Sequence, residues 1–247
     1  MPPCLFLFYK CYLMKYEEYL ADVITGRPHD LEIGGERLRL YPVTLAKTFV
    51  LRRQIEALGI DSVILKLNPM VECLRLSEAK PEAVASVLAV YAADNSREGL
   101  FDHAGMVHRR ELFLRLRKEH LAGLLVTVLT ADHTEELMEE LGINSERERL
   151  SEVLKVKEEV NRNSLTFGGK SLFGSFVAPL MEMGFRSDEI LYEQGYDYLR
   201  LMLADKVTSV YLSDDELERL PQSAGGALID GDDGSSVAEV AGMIGNK

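Results

Sequence analysis

The sequence has few of the residues that mark metal-dependent or membrane-spanning proteins. Its 247 residues include five histidines and three cysteines, and neither type has the HExxH or CxxC spacing of common metal sites. No apolar run reaches the roughly 18 residues that a membrane-crossing helix needs. No group of side chains forms a recognisable catalytic motif. We therefore expect a soluble protein without catalytic residues, cofactor, metal or membrane partner.

Basic residues are also scarce. The chain has 28 Lys and Arg residues against 40 Asp and Glu residues, which gives a net charge of -12 and a pI near 5.0. This charge repels the phosphates of nucleic acids. The short basic clusters His108–Arg110 and Arg115–Lys118 are typical of solvated helix faces. We expect no nucleic-acid partner.

The cysteines indicate a reducing compartment. Cys4, Cys11 and Cys73 leave one thiol unpaired in any disulfide scheme, so we expect a cytoplasmic protein. The apolar start Cys4–Tyr9 lacks the preceding positive charge and the cleavage site of a signal peptide. It is either the first part of a buried helix or an artefact of start-codon choice, with Met14 as the natural beginning. We assign residues 1–26 to an N-terminal helical segment.

A β-hairpin is predicted over residues 30–43. Leu31 and Ile33 alternate with charged residues, Gly34-Gly35 suits a two-residue turn, and Leu38 and Leu40 follow in a second strand. An isolated hairpin is marginally stable in water. Its apolar side chains therefore either cover the protein's own core or form a candidate partner surface made of Leu31, Ile33, Leu38 and Leu40.

Helices are predicted from residue 44 onward. Thr44 is an expected N-cap, and Gly59 an expected stop, for a helix with one apolar stripe, which contains Leu45, Phe49, Ile55 and Leu58. Asn68-Pro69 predicts a break within residues 61–76. Pro81 is expected to begin an apolar helix that ends at Ala93. The longest helix is predicted over residues 104–129 as a central packing element.

Two capping boxes are predicted next. Asp132 with Glu135 would open a short helix that Gly142 closes, and Ser145 with Glu148 would open a charged helix that ends near residue 162. Two further helices are expected over 172–183 and 188–205, the second with Ser187 as its cap. Gly195 lies inside that second helix, where it costs about 1 kcal/mol relative to alanine. It would permit a close helix contact.

Three tyrosines accompany Gly195 and form a second candidate partner surface, Tyr192, Tyr196 and Tyr198. Tyrosine suits a core margin and a protein interface equally, and both interpretations stay open. Residues 221–247 are rich in Gly, Asp and Ser, which predicts a disordered tail. The predicted fold class is mainly α: a multi-helix domain over residues 27–220 with a small N-terminal β-hairpin.

Three polar features of the sequence are candidates for functional sites. Phe167–Ser171 contains a Gly-Lys-Ser triplet, but Ser164 occupies the first glycine position of a phosphate-binding loop and no strand precedes it. His120 lies close to an apolar helix stripe, which favours a boundary position over a ligand role. Asp132 and His133 could act as an acid and base pair, but helix capping explains them better. We expect no phosphate, metal or catalytic site at these positions.

The layout resembles that of tail assembly chaperones of long-tailed bacteriophages. The hairpin Leu31–Leu40 leads directly into the helix Thr44–Leu58, and the later segment Phe173–Tyr192 is a helix, a turn and a second helix before an acidic end. Residues 61–162 have no match in that family. The resemblance covers about half of the chain and contains no diagnostic motif.

The resemblance implies a non-enzymatic protein of the host cytoplasm. Such a chaperone coats the tape-measure protein, helps to recruit tail-tube subunits during virion morphogenesis and leaves the finished particle. The expected partner is therefore a tape-measure or tail-tube protein, and homo-oligomer formation is left open. One alternative is a structural or connector component of a phage particle. A third is an enzyme that uses the surroundings of Asp132, His133 or Lys170.

Overall fold

A computed structural model of the chain describes residues 16–160 and 171–220. It confirms the predicted fold class, because the described residues are mainly helical with one two-stranded hairpin near the N-terminus. The predictions for residues 1–15, for the tail 221–247 and for most of the Gly-Lys-Ser motif lie outside the described residues.

The described elements follow one another closely along the chain. The first are α1 (Tyr16–Thr25), β1 (His29–Ile33), β2 (Glu36–Leu40), α2 (Leu45–Leu58), α3 (Ser62–Leu67), α4 (Pro69–Ala79), α5 (Pro81–Tyr91) and α6 (Arg97–Phe101). Then come α7 (His103–Leu114), α8 (Lys118–Leu129), α9 (Thr134–Glu140), α10 (Ile143–Val160), α11 (Ala178–Glu182), α12 (Tyr196–Ala204) and α13 (Asp214–Leu217). Single π-helical turns span Phe173–Val177 and Glu189–Glu193.

These elements belong to two compact units. The described part of the first unit is residues 16–141 and 171–206, and that of the second is residues 142–160 and 207–220. In the second unit α10 packs against α13, and Lys157 donates a hydrogen bond to the carbonyl of Tyr211. The predicted helical domain 27–220 is thus divided between two units.

The hairpin forms in the predicted register. Leu31 pairs with Leu38, and the turn places Gly34 at a φ of 62° and Gly35 at 85°, conformations that glycine adopts at low cost. Leu31, Ile33 and Leu40 are buried in the main core. The hairpin therefore covers the core of its own unit.

Helix α5 lies at the centre of the main core. Six of its eleven residues are buried, and the helix packs against α2, α4, α7 and α8. A helix with so much apolar surface is stable only when other elements surround it. Pro81 begins α5 as predicted. The predicted caps Thr44 and Gly59 of α2 are confirmed, as is the break at Asn68.

The single helix predicted over residues 104–129 is wrong. It is two helices, α7 and α8, separated at Arg115–Arg117, where Arg117 has an extended backbone. A straight helix of that length would extend about 39 Å. The bend lets α7 place Leu112 and Phe113, and α8 place Leu121 and Leu125, in the same core around α5. Among the described helices, the longest is α10.

Both predicted capping boxes are also wrong. Asp132 accepts a hydrogen bond from the Thr134 amide, but Glu135 pairs with Arg200 and does not reach back to the helix start. Helix α10 begins before Ser145, whose hydroxyl donates to the Gly142 carbonyl. The ion pair between Glu135 and Arg200 thus takes the place of the capping box predicted for Asp132 and Glu135.

The segment 188–205 is interrupted at the glycine predicted to lie inside a helix. Gly195 is extended and forms a bridge with Thr44, while the Tyr196 amide donates to the Val43 carbonyl at 2.7 Å. The predicted Ser187 cap is also replaced, because the Glu189 carboxylate accepts from the Arg186 amide. The smaller core of this region consists of Leu45, Leu180, Ile190 and Leu199.

Candidate protein-binding surface and polar clusters

Three large apolar side chains are exposed on α3 and α4. Val63, Leu67 and Val71 have relative exposures of 65%, 81% and 52%, and we call them the α3–α4 apolar surface. They are four residues apart, and Asn68 turns the chain between the second and the third. Leucine and valine at these exposures leave apolar area in water, which is a common property of partner-binding sites when such residues cluster.

A buried carboxylate fixes the base of this surface. Glu72 accepts hydrogen bonds from the Asp61 amide at 2.7 Å and from two nitrogens of Arg75 at 2.6 and 2.8 Å. Arg75 also donates to the Gly59 carbonyl. The hydrogen bonds from Arg75 hold the pKa of Glu72 below its usual range. The start of α3 and the first turns of α4 are therefore joined by charge-assisted hydrogen bonds, which preorganise the exposed row.

The residues predicted as a partner surface lie elsewhere and are less exposed. Leu31, Ile33 and Leu40 are buried, and Leu38 is partly buried against the same core. Any use of the hairpin edge by a partner stays a prediction.

The three tyrosines predicted as a partner surface are half-buried. Tyr196 lies against Phe176, with ring centroids 5.3 Å apart, and Tyr198 contacts the edge of Phe185. Tyr192 is half-buried as well. The rings of Tyr196 and Tyr198 lie at the margin of the smaller core. The role of the three tyrosines in binding a partner stays a prediction.

Asp132 and His133 belong to a polar cluster that joins α1, α9 and α12. Asp132 and Glu135 bind the two terminal nitrogens of Arg200 at 2.9 and 2.6 Å. The Tyr19 hydroxyl accepts from the His133 amide and donates to the Ala131 carbonyl. The side chains of Asp132 and His133 are about half exposed. The geometry thus joins three helices through ion pairs and hydrogen bonds.

Asp197 is a member of the same cluster that sequence reasoning missed. Burial raises its pKa to about 6, the charge of Asp132 adds to this effect, and Arg200 opposes it. Burial also raises the pKa of Tyr19 to about 12. Asp197 lies in the first turn of α12, where exposed carboxylates are common. The sequence therefore gives no sign that this carboxylate is different. Its burial follows from the packing of α12 on α9 and α1.

The Asp197→Asn variant is expected to be more stable than the wild type at pH 7, by about 1–2 kcal/mol. The folded protein holds the Asp197 proton up to a pH of about 6, whereas the ordinary pKa is 3.8. The folded state therefore binds more protons than the unfolded state between these values, and its stability falls as pH rises through this window. Urea denaturation at pH 5 and pH 7 measures the effect.

The exposed carboxylate of Asp205, which follows α12, provides the matched control. Asp205→Asn should change stability little at both pH values. Equal behaviour of the two variants would contradict a partly buried Asp197 carboxylate with a raised pKa.

Lys47 is a second polar residue that sequence reasoning missed. Its side chain is fully buried, and Nζ donates to the Ala93 carbonyl at 3.0 Å and lies 5.4 Å from the centre of the Tyr41 ring. Burial lowers its pKa to about 7. The sequence contains one indication of this burial. Lys47 lies four residues before Leu51, so both side chains are on the same face of α2. Phe49, predicted in the buried stripe, is about half exposed instead.

The other polar residues singled out in the sequence are Ser171 of the Gly-Lys-Ser motif and His120. Ser171 is the described residue of the Gly-Lys-Ser motif, and its hydroxyl accepts from the Gly174 amide at the start of the next helix. His120 is half-buried on α8. Within residues 16–160 and 171–220, no three His, Cys, Asp or Glu side chains are grouped as metal ligands would be. No helix of these ranges is long and apolar enough to cross a membrane.

The fold and these surfaces define a mainly α-helical protein with a small hairpin. Comparison of the chain with protein-family models, curated proteins and solved structures gives no match.

Proposed function

We propose that this protein binds a helical protein client through the α3–α4 apolar surface and acts as an assembly chaperone, as phage tail assembly chaperones do. The observation that carries this proposal is the exposure of Val63, Leu67 and Val71 where α3 meets α4 in the first unit. An apolar surface of this kind loses unfavourable contact with water when a partner covers it.

The shape of the surface favours a helix as the partner. Val63 and Leu67 are one helical turn apart on α3, and Val71 lies in the first turn of α4, four residues after Leu67. An amphipathic client helix can place apolar residues at matching intervals along such a row. A long tape-measure protein has many turns of this type, and each exposed turn needs to be covered before assembly.

The charge beside the surface favours acidic residues on the client. Lys66 is exposed between Val63 and Leu67. The chain as a whole has a net charge of -12. A client helix with carboxylates beside its apolar row would therefore bind here in preference to the rest of this acidic chain. The acidic remainder would keep the complex soluble.

The polar clusters support a role without catalysis. Asp132 and Glu135 hold Arg200 in an ion pair between helices, and the Lys47 amine is bound to a backbone carbonyl in the core. Both clusters connect elements of the fold. The residues that could suggest an enzyme thus have structural explanations in the part of the chain that is described.

Binding should weaken about tenfold or more in the Leu67→Glu variant, because a charge would be placed in the apolar contact. The protein is co-expressed with the products of neighbouring genes, and co-purified proteins are identified by mass spectrometry. The expected client is a long helical protein with repeated apolar positions. Its affinity is then measured by titration with the purified proteins.

Val207→Glu is the matched control, since Val207 is 90% exposed and lies outside the α3–α4 apolar surface. This variant should bind the client as the wild type does. Equal binding by Leu67→Glu and the wild type would refute the proposed surface. Retention of the protein in purified particles would instead indicate a structural component.

A further inference from the structure

A cleft of about 320 Å³ opens between α2, α5, α6 and α7 in the first unit. Its apolar walls include Val50, Leu100, Phe101 and Met106. Phe101 is 67% exposed. The volume lies at the lower end of the range for small-molecule sites, which are usually apolar with a few well-placed polar groups.

Two residues that line this cleft each have one buried polar atom without a hydrogen-bond partner among the described residues. The Nε atom of Arg110 and the Oε1 atom of Gln54 are inaccessible to solvent, and neither has a hydrogen-bond partner among the described residues. Leaving a buried donor or acceptor unpaired costs free energy, and such groups in folded proteins usually have an explanation. The side chains of Gln54 and Arg110 line the same cleft, so one ligand could contact both side chains.

The positive charge of Arg110 indicates the sign of the ligand. Arg110 lies on α7 and lines the cleft. A guanidinium presents several N–H donors in one plane, which matches the two oxygens of a carboxylate. The amide of Gln54 can turn about its last bond and offer either its oxygen or its NH₂ group.

We propose that this cleft binds a small monocarboxylate with an apolar body of about six to eight carbons. The carboxylate would accept hydrogen bonds from Arg110 and from the amide of Gln54. The apolar body would lie against Val50, Leu100 and Met106, with Phe101 beside it. This site is separate from the α3–α4 apolar surface and does not depend on the proposed client.

Octanoate is a suitable probe, and octan-1-ol is the matched ligand without a carboxylate. The full chain is labelled at its methyl groups, and each compound is titrated by NMR while the heat of binding is measured by calorimetry. We expect saturable shifts of the Leu100 and Met106 methyl signals with octanoate. The affinity for octan-1-ol should be lower than that for octanoate by about tenfold or more, because octan-1-ol lacks the charge that Arg110 recognises.

Two arginine variants separate the site from general charge effects. Arg110→Gln should weaken octanoate binding about tenfold or more. Arg115→Gln removes the same charge from an exposed side chain at the end of the same helix and should bind as the wild type does. Leu67→Glu should also leave octanoate binding unchanged, which distinguishes this site from the client surface.

Three results would overturn the proposal. They are the absence of saturable shifts at millimolar octanoate, equal binding of octanoate and octan-1-ol by the wild type, or shifts centred on Val63, Leu67 and Val71. The second comparison uses no variant, so it remains decisive even if Arg110→Gln fails to fold.

Discussion

Replacing Phe113 by alanine is expected to lower the free energy of unfolding by about 3–5 kcal/mol. Phe113 is fully buried in the main core, on the last turn of α7 before the bend at Arg115–Arg117. The substitution removes the whole ring and leaves a cavity among helices that already pack closely, so transfer and cavity costs add. Urea denaturation followed by circular dichroism measures the loss.

Phe173→Ala is the matched control for this prediction. Phe173 is 66% exposed, so the same change of side chain removes little buried area and should cost less than about 1 kcal/mol. If both variants lost similar stability, Phe113 would not be a core residue. The bend between α7 and α8 would then need a different explanation, since the burial of Phe113 depends on it.

Lys47→Met is expected to abolish a rise in stability of about 2 kcal/mol between pH 7 and pH 9. Burial lowers the pKa of Lys47 in the folded protein to about 7, from an ordinary value of 10.5, with Asp94 opposing and Arg109 adding to the shift. The folded state therefore binds fewer protons than the unfolded state in this window. The free energy of unfolding consequently increases as pH rises, until the unfolded amine also loses its proton.

The window of this measurement is chosen to isolate Lys47. Burial raises the pKa of Cys73 from 9.0 to about 12, and those of Tyr19 and Tyr91 from 10.0 to about 12. These groups make stability fall with pH, but only above about pH 9. Denaturation curves at pH 7, 8 and 9 therefore report mainly on the lysine.

The exposed Lys66 supplies the control for charge removal. Lys66→Met should retain the pH dependence of the wild type, while Lys47→Met should give a flat profile. A flat profile in the wild type itself would contradict the burial of an amine that is neutral above pH 7. The hydrogen bond from Nζ to Ala93 would then be a contact of a charged group with access to water.

Elements with local signals were predictable. Thr44 caps the start of α2 and Gly59 caps its end. Asn68 is the N-cap of α4, and Pro81 is the first residue of α5. Each of these residues satisfies or restricts the backbone within a few positions of itself. Gly34-Gly35 predicts the hairpin turn for the same reason.

Elements with distant partners were not predictable. Glu135 suits a capping box, but Arg200 lies 65 positions away in sequence and provides a stronger partner. Gly195 lies in a helical pattern, but it pairs with Thr44 far earlier in the chain. The segment between α7 and α8 contains no proline, so the sequence does not predict the bend. In each case a contact that forms only after folding outweighs the local preference.

The candidate sites show the same division. The sequence contains similar apolar residues at Leu31 and Leu67, and it gives no means of deciding which of them is buried. In the folded protein Leu31 packs in the core, whereas Leu67 is 81% exposed. The cleft at Arg110 is assembled from four helices, so no single segment of sequence could reveal it.

The sequence by itself determined the fold class, the hairpin register and many of the helix ends, because period, glycine, proline and caps act within a few residues. Only the tertiary structure decided which apolar faces stay exposed, that Lys47 is buried and Asp197 partly buried, and which helices form the cleft. Burial and pKa depend on neighbours that are distant in sequence and meet only when the helices pack together.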